Sequence, residues 1–129
     1  MAFAKEMLRI KDELIQMGHS VLIPDFTNVF VGKTEQEKEM LNRTKIVKHD
    51  AIIEHYKKIK RSDAILVLNY DRKGIKHYIG GNTVMEIGFA HVLGKCIYLL
   101  YAIPEIPLYK SEIQAVGPII ISGNLQNIR

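Results

Sequence analysis

The stretch Tyr78-Ile79-Gly80-Gly81-Asn82-Thr83-Val84-Met85-Glu86-Ile87-Gly88-Phe89-Ala90-His91 holds the densest set of residues whose types and spacing can do chemistry. Two adjacent glycines, Gly80 and Gly81, let the backbone approach a ligand closely. A helix beginning at Asn82 or Thr83 would then offer free N–H groups and the positive end of its dipole to a phosphate or a sugar hydroxyl. Glu86 is expected in the first turn of that helix, where a carboxylate can attack or support an electron-poor sugar carbon. The same letters also read as T-x-x-E, a capping box in which Glu86 merely returns a hydrogen bond to the backbone. On the residues alone the cap is the simpler reading, and glycine pairs also mark ordinary turns. Ahead of the glycines, His77 and Tyr78 are placed to meet a ligand, and Tyr78 can either stack on a base or anchor its loop.

Three segments together resemble the nucleoside 2-deoxyribosyltransferase superfamily: Asp63-Ala64-Ile65-Leu66-Val67-Leu68-Asn69, then Gly80 to Ala90, then Gly94-Lys95-Cys96-Ile97-Tyr98-Leu99-Leu100. Its diagnostic part is the E-x-G-x-A helix followed by G-K and a strand. The family includes transferases that exchange bases on 2′-deoxyribonucleosides and hydrolases that cut the N-glycosidic bond of deoxynucleoside 5′-monophosphates. The resemblance implies that Glu86 is the nucleophile, forming a covalent deoxyribosyl ester before a base or water takes the sugar. It also implies that Asp63 is the acidic residue opening the second conserved strand, although a helix-to-strand capping role fits Asp63 as well. The expected substrate-binding set is Asn69, Tyr78, Gly80, Gly81, Asn82 and Thr83, with no metal and no cofactor. In the transferases an aspartate that helps to protonate and orient the base lies six residues before the nucleophile, a position held here by Gly80. That substitution points to hydrolysis.

Two other readings stand beside this one. The lysine-decarboxylase-like phosphoribohydrolases carry P-G-G-x-G-T-x-x-E, which Gly80 to Glu86 echoes without the proline and one residue short. A nucleotide-binding or structural module that has lost turnover is the third. Family members usually begin with a strand and a Gly-Ser loop before the first helix, whereas this sequence starts at Met1-Ala2-Phe3-Ala4-Lys5, already at the helix. Either a strand precedes Met1 or the sheet closes without it. A sheet lacking that strand would expose edges, which favours association.

The elements that must position these residues follow from pattern. With 129 residues the chain has room for a single domain, 1–129. Its 47% hydrophobic content suits one globular core. Eighteen Lys plus Arg against fourteen Asp plus Glu give +4, which favours an anionic small molecule, a nucleoside or nucleotide, without requiring a nucleic-acid polymer. The spacing predicts a helix over about 3–17, ended by Gly18. A buried strand is expected at Val21-Leu22-Ile23-Pro24, and a long helix from Glu35 to about Arg61. The inner face of that helix would carry Met40, Val47, Ala51 and Ile59, with Ile52, Ile53 and Tyr56 widening it into the surface of a homodimer or higher homo-oligomer. The basic cluster Lys57, Lys58, Lys60 and Arg61 reads as cations at a helix C-terminus.

Ala64 to Leu68 reads as a strand buried on both faces, Asn69 to Gly80 as a loop and Cys96 to Leu100 as a further strand, with Cys96 packed inside it. A short helix at Lys110–Val116 and an edge strand at Pro118–Ile121 complete the pattern. The expected fold is α/β, a three-layer, flavodoxin/Rossmann-like, mostly parallel sheet with flanking helices, lacking the usual first strand. Ligands bind beyond the carboxyl ends of such strands, so the loops after Ile23, Leu68 and Leu100 should surround the site. The scattered histidines His19, His49, His55, His77 and His91 have no metal-site spacing. The run from Cys96 to Ile103 is too short to span a bilayer, and the charged N-terminus lacks a signal-peptide core. A cytoplasmic setting is therefore expected.

Overall fold

The structure is a computed structural model that describes residues 4–23 and 45–128. The chain divides into two units, Met1–Lys58 and Ile59–Arg129.

In the first unit, helix α1 spans Ala4–Gln16. It buries Ile10 and Leu14, one turn apart on the same face, while Arg9 and Glu13 pair at 3.0 Å on the exposed face. Its end is a Schellman turn. The Gly18 N–H bonds the Ile15 carbonyl and the His19 N–H bonds the Leu14 carbonyl, with Gly18 at φ +97°. Residues 21–23 form no strand, which corrects the strand expected at Val21-Leu22-Ile23; Pro24 lies outside the described residues. Leu22 is exposed, and no strand among the described residues pairs with this run. β-branched propensity alone does not make a strand without a partner to pack against. The Ile23 carbonyl instead accepts a hydrogen bond from the Lys58 ammonium.

Helix α2 spans Lys45–Lys60. Residues 35–44 of the expected long helix, with Met40, lie outside the described residues, as do the side chains of Val47 and Ala51. Near its C-terminus Lys57 pairs with Glu54 at 3.7 Å, and both side chains are largely exposed. Such a pair contributes at most about 0.5 kcal/mol.

The second unit is a parallel α/β arrangement. Strand β1 (Ala64–Val67) leads through a loop to helix α3 (Gly81–Val92), and strand β2 (Cys96–Leu99) leads through another to helix α4 (Lys110–Ala115). The short strand β3 (Ile119–Ile120) and a 3₁₀ turn at Leu125–Asn127 follow. The sheet order is β1-β2-β3, all parallel, with Ala64 opposite Cys96, Val67 opposite Leu99 and Leu99 opposite Ile120. Helix α3 packs on β1 and β2 through Ile87 and Ala90. Together with Ile59, Val67, Ile79, Ile97, Leu99 and Ile113 these two form the core.

Position in the sheet sorts the strands. β2 is central and buries Ile97, Tyr98 and Leu99 in succession, as an apolar run in a parallel sheet should. β1 departs from the expectation of burial on both faces: it borders the described sheet, stops at Val67, and only Val67 is buried. Cys96 is also a correction. It is exposed, because it opens β2 at the rim of the sheet before the buried run begins. β3 is the edge strand its sequence predicts, with both isoleucines exposed.

Candidate functional site

In a parallel sheet every connection leaves from the carboxyl ends of the strands, and in this unit those connections are tied by side-chain hydrogen bonds from Asn69, Asp71 and Tyr109. Asn69, two residues beyond β1, is wholly buried (0% exposed). Its amide nitrogen donates to the carbonyls of Tyr101 (2.8 Å) and Ala102 (3.0 Å), and its amide oxygen accepts from the Tyr101 N–H (2.9 Å). One side chain thus ties the loop after β1 to the loop after β2. Both N–H donors of the amide are spent in doing so, which makes Asn69 a clasp between loops.

The loop between β1 and α3 folds back on itself. Arg72 and Ile75 exchange both backbone hydrogen bonds, with Lys73 at φ +55° and Gly74 at φ +74° between them. Positive φ at both central residues is the signature of a type I′ hairpin turn. The Tyr78 N–H then bonds the Tyr70 carbonyl at 3.0 Å, and the His77 N–H bonds the Asp71 carboxylate at 2.9 Å. His77 itself holds φ +58°. Its ring stacks on Tyr101 with centroids 5.3 Å apart and planes 22° apart, and Tyr70 meets Tyr101 edge-on at 6.0 Å. Beyond β3, Ser122 and Gly123 both hold positive φ, and a Cβ added at Gly123 would lie 3.3 Å from the Tyr101 ring.

Helix α3 begins at the end of this loop. Its N-cap is Gly80, in extended backbone, and no side chain caps the first turn. This is a correction. Thr83 is the third helical residue, so the T-x-x-E capping box does not form, and Glu86 lies in the second turn of α3 instead of the first. The glycine pair allows the helix to start one to two residues earlier than the Asn82 or Thr83 start read from the sequence, because Gly80 takes the cap position without a side chain. The first-turn N–H groups, of Gly81, Asn82 and Thr83, lie beyond the reach of any intrahelical carbonyl. The Tyr78 ring borders Gly80, at 3.5 Å from where a Cβ would stand, and the Lys73 ammonium lies 5.7 Å from the centre of that ring.

The sequence-derived residues therefore separate into two groups. Asn69, Tyr78, Gly80, Gly81, Asn82 and Thr83 all follow β1 and lead into the start of α3. Glu86 is half-buried one turn further along that helix. Asp63 is not with them: it is exposed and precedes β1, at the amino end of the sheet, where its carbonyl accepts from the Cys96 N–H at 3.3 Å. The strand of four residues puts it about 13 Å from the other end.

Tyr70 and Tyr101 were not singled out by sequence reasoning. The signal available was position, since each follows within a few residues of a parallel strand, where ligand loops arise. Tyr109, just before α4, donates its hydroxyl to the Ile79 carbonyl and so ties that helix to the loop leading into α3. Burial, and secondarily the nearby Tyr78 hydroxyl, push its pKa above the ordinary tyrosine value.

Among the described residues no group of three or more His, Cys, Asp or Glu is arranged to hold a metal ion, and no helix is long and apolar enough to cross a membrane. The chain matches no family model, no curated protein and no solved structure.

Proposed function

We propose that this chain cleaves, or transfers at, the N-glycosidic bond of a nucleoside, a deoxynucleoside or the corresponding 5′-monophosphate, with Glu86 as nucleophile. The observation that carries the reading is the start of α3 at Gly81, with Gly80 as its N-cap. It removes the capping box, the simplest alternative role for Glu86, and leaves a helix start without a side-chain cap beside a glycine loop. In the first step a Glu86 oxygen attacks the anomeric carbon and the carbon–nitrogen bond breaks; its electron pair leaves with the base, which takes up a proton. In the second step water adds at the anomeric carbon, its proton passes to solvent and the ester to Glu86 breaks, restoring the carboxylate. Gly80 brings no carboxylate to orient an incoming base, which favours water as the acceptor. The three parallel strands are read as part of a flavodoxin-like, three-layer sheet, and the chain as a cytoplasmic homodimer joined through α2; light scattering that gives a mass of 14.8 kDa would remove the dimer.

The test is release of free base from a panel of nucleosides and 5′-monophosphates, followed by chromatography. The wild-type chain should release base, and Glu86→Ala should lose the activity while keeping its fold. A wild-type chain inactive on the whole panel leaves the binding-module reading, which the placement of Asp63 at the opposite end of the sheet already favours, since Glu86 is then the single sequence-derived carboxylate on the α3 side.

A further inference from the structure

Tyr70, His77 and Tyr101 come from two separate loops, converge at the carboxyl ends of the strands, and belong to no part of the buried core. All three are half-buried. A cluster that merely completed the core would be expected to sink its rings into it. These rings instead stay half-buried, on backbones that are fixed one by one.

Tyr101 is held through both its N–H and its carbonyl by Asn69, Tyr70 through its carbonyl by the Tyr78 N–H, and His77 through its N–H by the Asp71 carboxylate. His77 is kept in the left-handed region at φ +58°, which residues with a Cβ rarely adopt. Gly123, also left-handed, lets the loop after β3 come up against the Tyr101 ring, where a Cβ would stand only 3.3 Å away. Three strand ends thus contribute to positioning one aromatic pair. The hairpin that carries His77 also brings Arg72, Lys73 and Lys76, which suits a ligand bearing negative charge.

We infer that the stacked pair His77–Tyr101, edged by Tyr70, is the subsite for a flat heteroaromatic ring, the base of a nucleotide. The ring lies on the half-exposed pair as bases lie on aromatic side chains elsewhere, through stacking that tolerates more than one base. Tyr70 and Asn69 act as positioning residues, one buttressing the Tyr101 ring and the other its backbone. The inference takes its ligand class from the glycosidic reading but needs no turnover.

The experiment is an NMR titration of the isotope-labelled full chain with adenosine 5′-monophosphate, uridine 5′-monophosphate and, as a probe without a ring base, ribose 5-phosphate. At least one of the two nucleotides should shift the aromatic side-chain resonances of His77 and Tyr101, while ribose 5-phosphate leaves them in place. His77→Gly should weaken nucleotide binding about tenfold. Because glycine adopts φ +58° freely, its melting temperature should not fall by the amount a misfolded loop would cause. Tyr101→Leu should weaken binding similarly, and Tyr101→Phe, which keeps the ring, should not. Nucleotide binding that leaves both resonances unmoved, unchanged affinity in a folded His77→Gly, or no binding of either nucleotide overturns the inference. Base release without those shifts would leave the Glu86 reading standing and remove the subsite. Shifts without base release would do the reverse.

Discussion

The two ends of the parallel sheet are built by different means. At the amino ends, the chain enters β2 through a tight backbone turn. The Gly94 N–H bonds the His91 carbonyl and the Lys95 N–H bonds the Ala90 carbonyl, a second Schellman turn, with Gly94 at φ +73°. Asp63 and Cys96 stand there exposed, joined by a backbone hydrogen bond. At the carboxyl ends the connections are longer and side chains fix them: the Asn69 amide, the Asp71 carboxylate, the Tyr109 hydroxyl and the aromatic pair. Three residues other than glycine hold positive φ in those connections, Lys73, His77 and Ser122. Backbone turns suffice where the chain only has to reverse. Side-chain fixings with locally unfavourable backbone appear where several loops must hold one relative geometry, which is what a binding site requires.

Substitution at Asn69 should have the largest effect on stability. Asn69→Ala removes three hydrogen bonds and leaves the Tyr101 N–H and two carbonyls without their partner, at a cost of about 2 to 4 kcal/mol. Chemical denaturation checks it. Asn69→Asp should cost at least as much at neutral pH, because a carboxylate would face the two carbonyl oxygens of Tyr101 and Ala102, and should recover in part on acidification. If Asn69→Ala unfolds like the wild-type chain, the contrast between the two ends loses its strongest member.

Tyr109 gives a smaller and pH-dependent effect. Its pKa is raised in the folded chain, so between the ordinary value near 10 and the folded value the native state keeps a proton that the unfolded state has lost. The stabilisation is complete below pH of about 10 and is lost as pH rises through the folded value. Thermal melts between pH 8 and 11 should show a decline in the wild-type chain that is shallower in Tyr109→Phe. At neutral pH that variant should cost about 1 kcal/mol, for the bond to the Ile79 carbonyl.

The smallest effects belong to the other end. Asp63→Ala and Cys96→Ser change exposed side chains and should each shift stability by less than about 0.5 kcal/mol. Neither should alter base release. A loss of activity in Asp63→Ala would return that residue to the catalytic machinery and break the division between the ends.

How far the sequence carried these conclusions depends on whether a residue's state is set locally. Gly18 was readable as a helix terminator because a Schellman turn needs little beyond a glycine after an amphipathic run. The apolar run Ile97 to Leu99 was readable because a central parallel strand is buried on both faces. Val21 to Ile23 was not, since strand formation depends on a neighbour whose position is a tertiary fact. Cys96 misled for a related reason: it is the first residue of its strand, and hydrophobicity cannot tell a strand's rim from its middle. At the candidate site, the glycine pair and Glu86 were visible as letters, but the cap fell on Gly80 because glycine fits that extended position without competing side-chain bonds. The clasp made by Asn69 and the stacking of His77 on Tyr101 join residues 32 and 24 positions apart, 101 − 69 and 101 − 77, and no local pattern encodes them.

The central claim is that Glu86 becomes covalently joined to the sugar. The most direct measurement is mass spectrometry of the acid-quenched, digested chain after incubation with deoxynucleosides and their 5′-monophosphates, with Glu86→Gln run in parallel. The account predicts a deoxyribosyl or deoxyribosyl-phosphate adduct on the peptide containing Glu86, together with free base in solution, and neither in the variant. Base release that persists in Glu86→Gln, or an adduct on another residue, would contradict it.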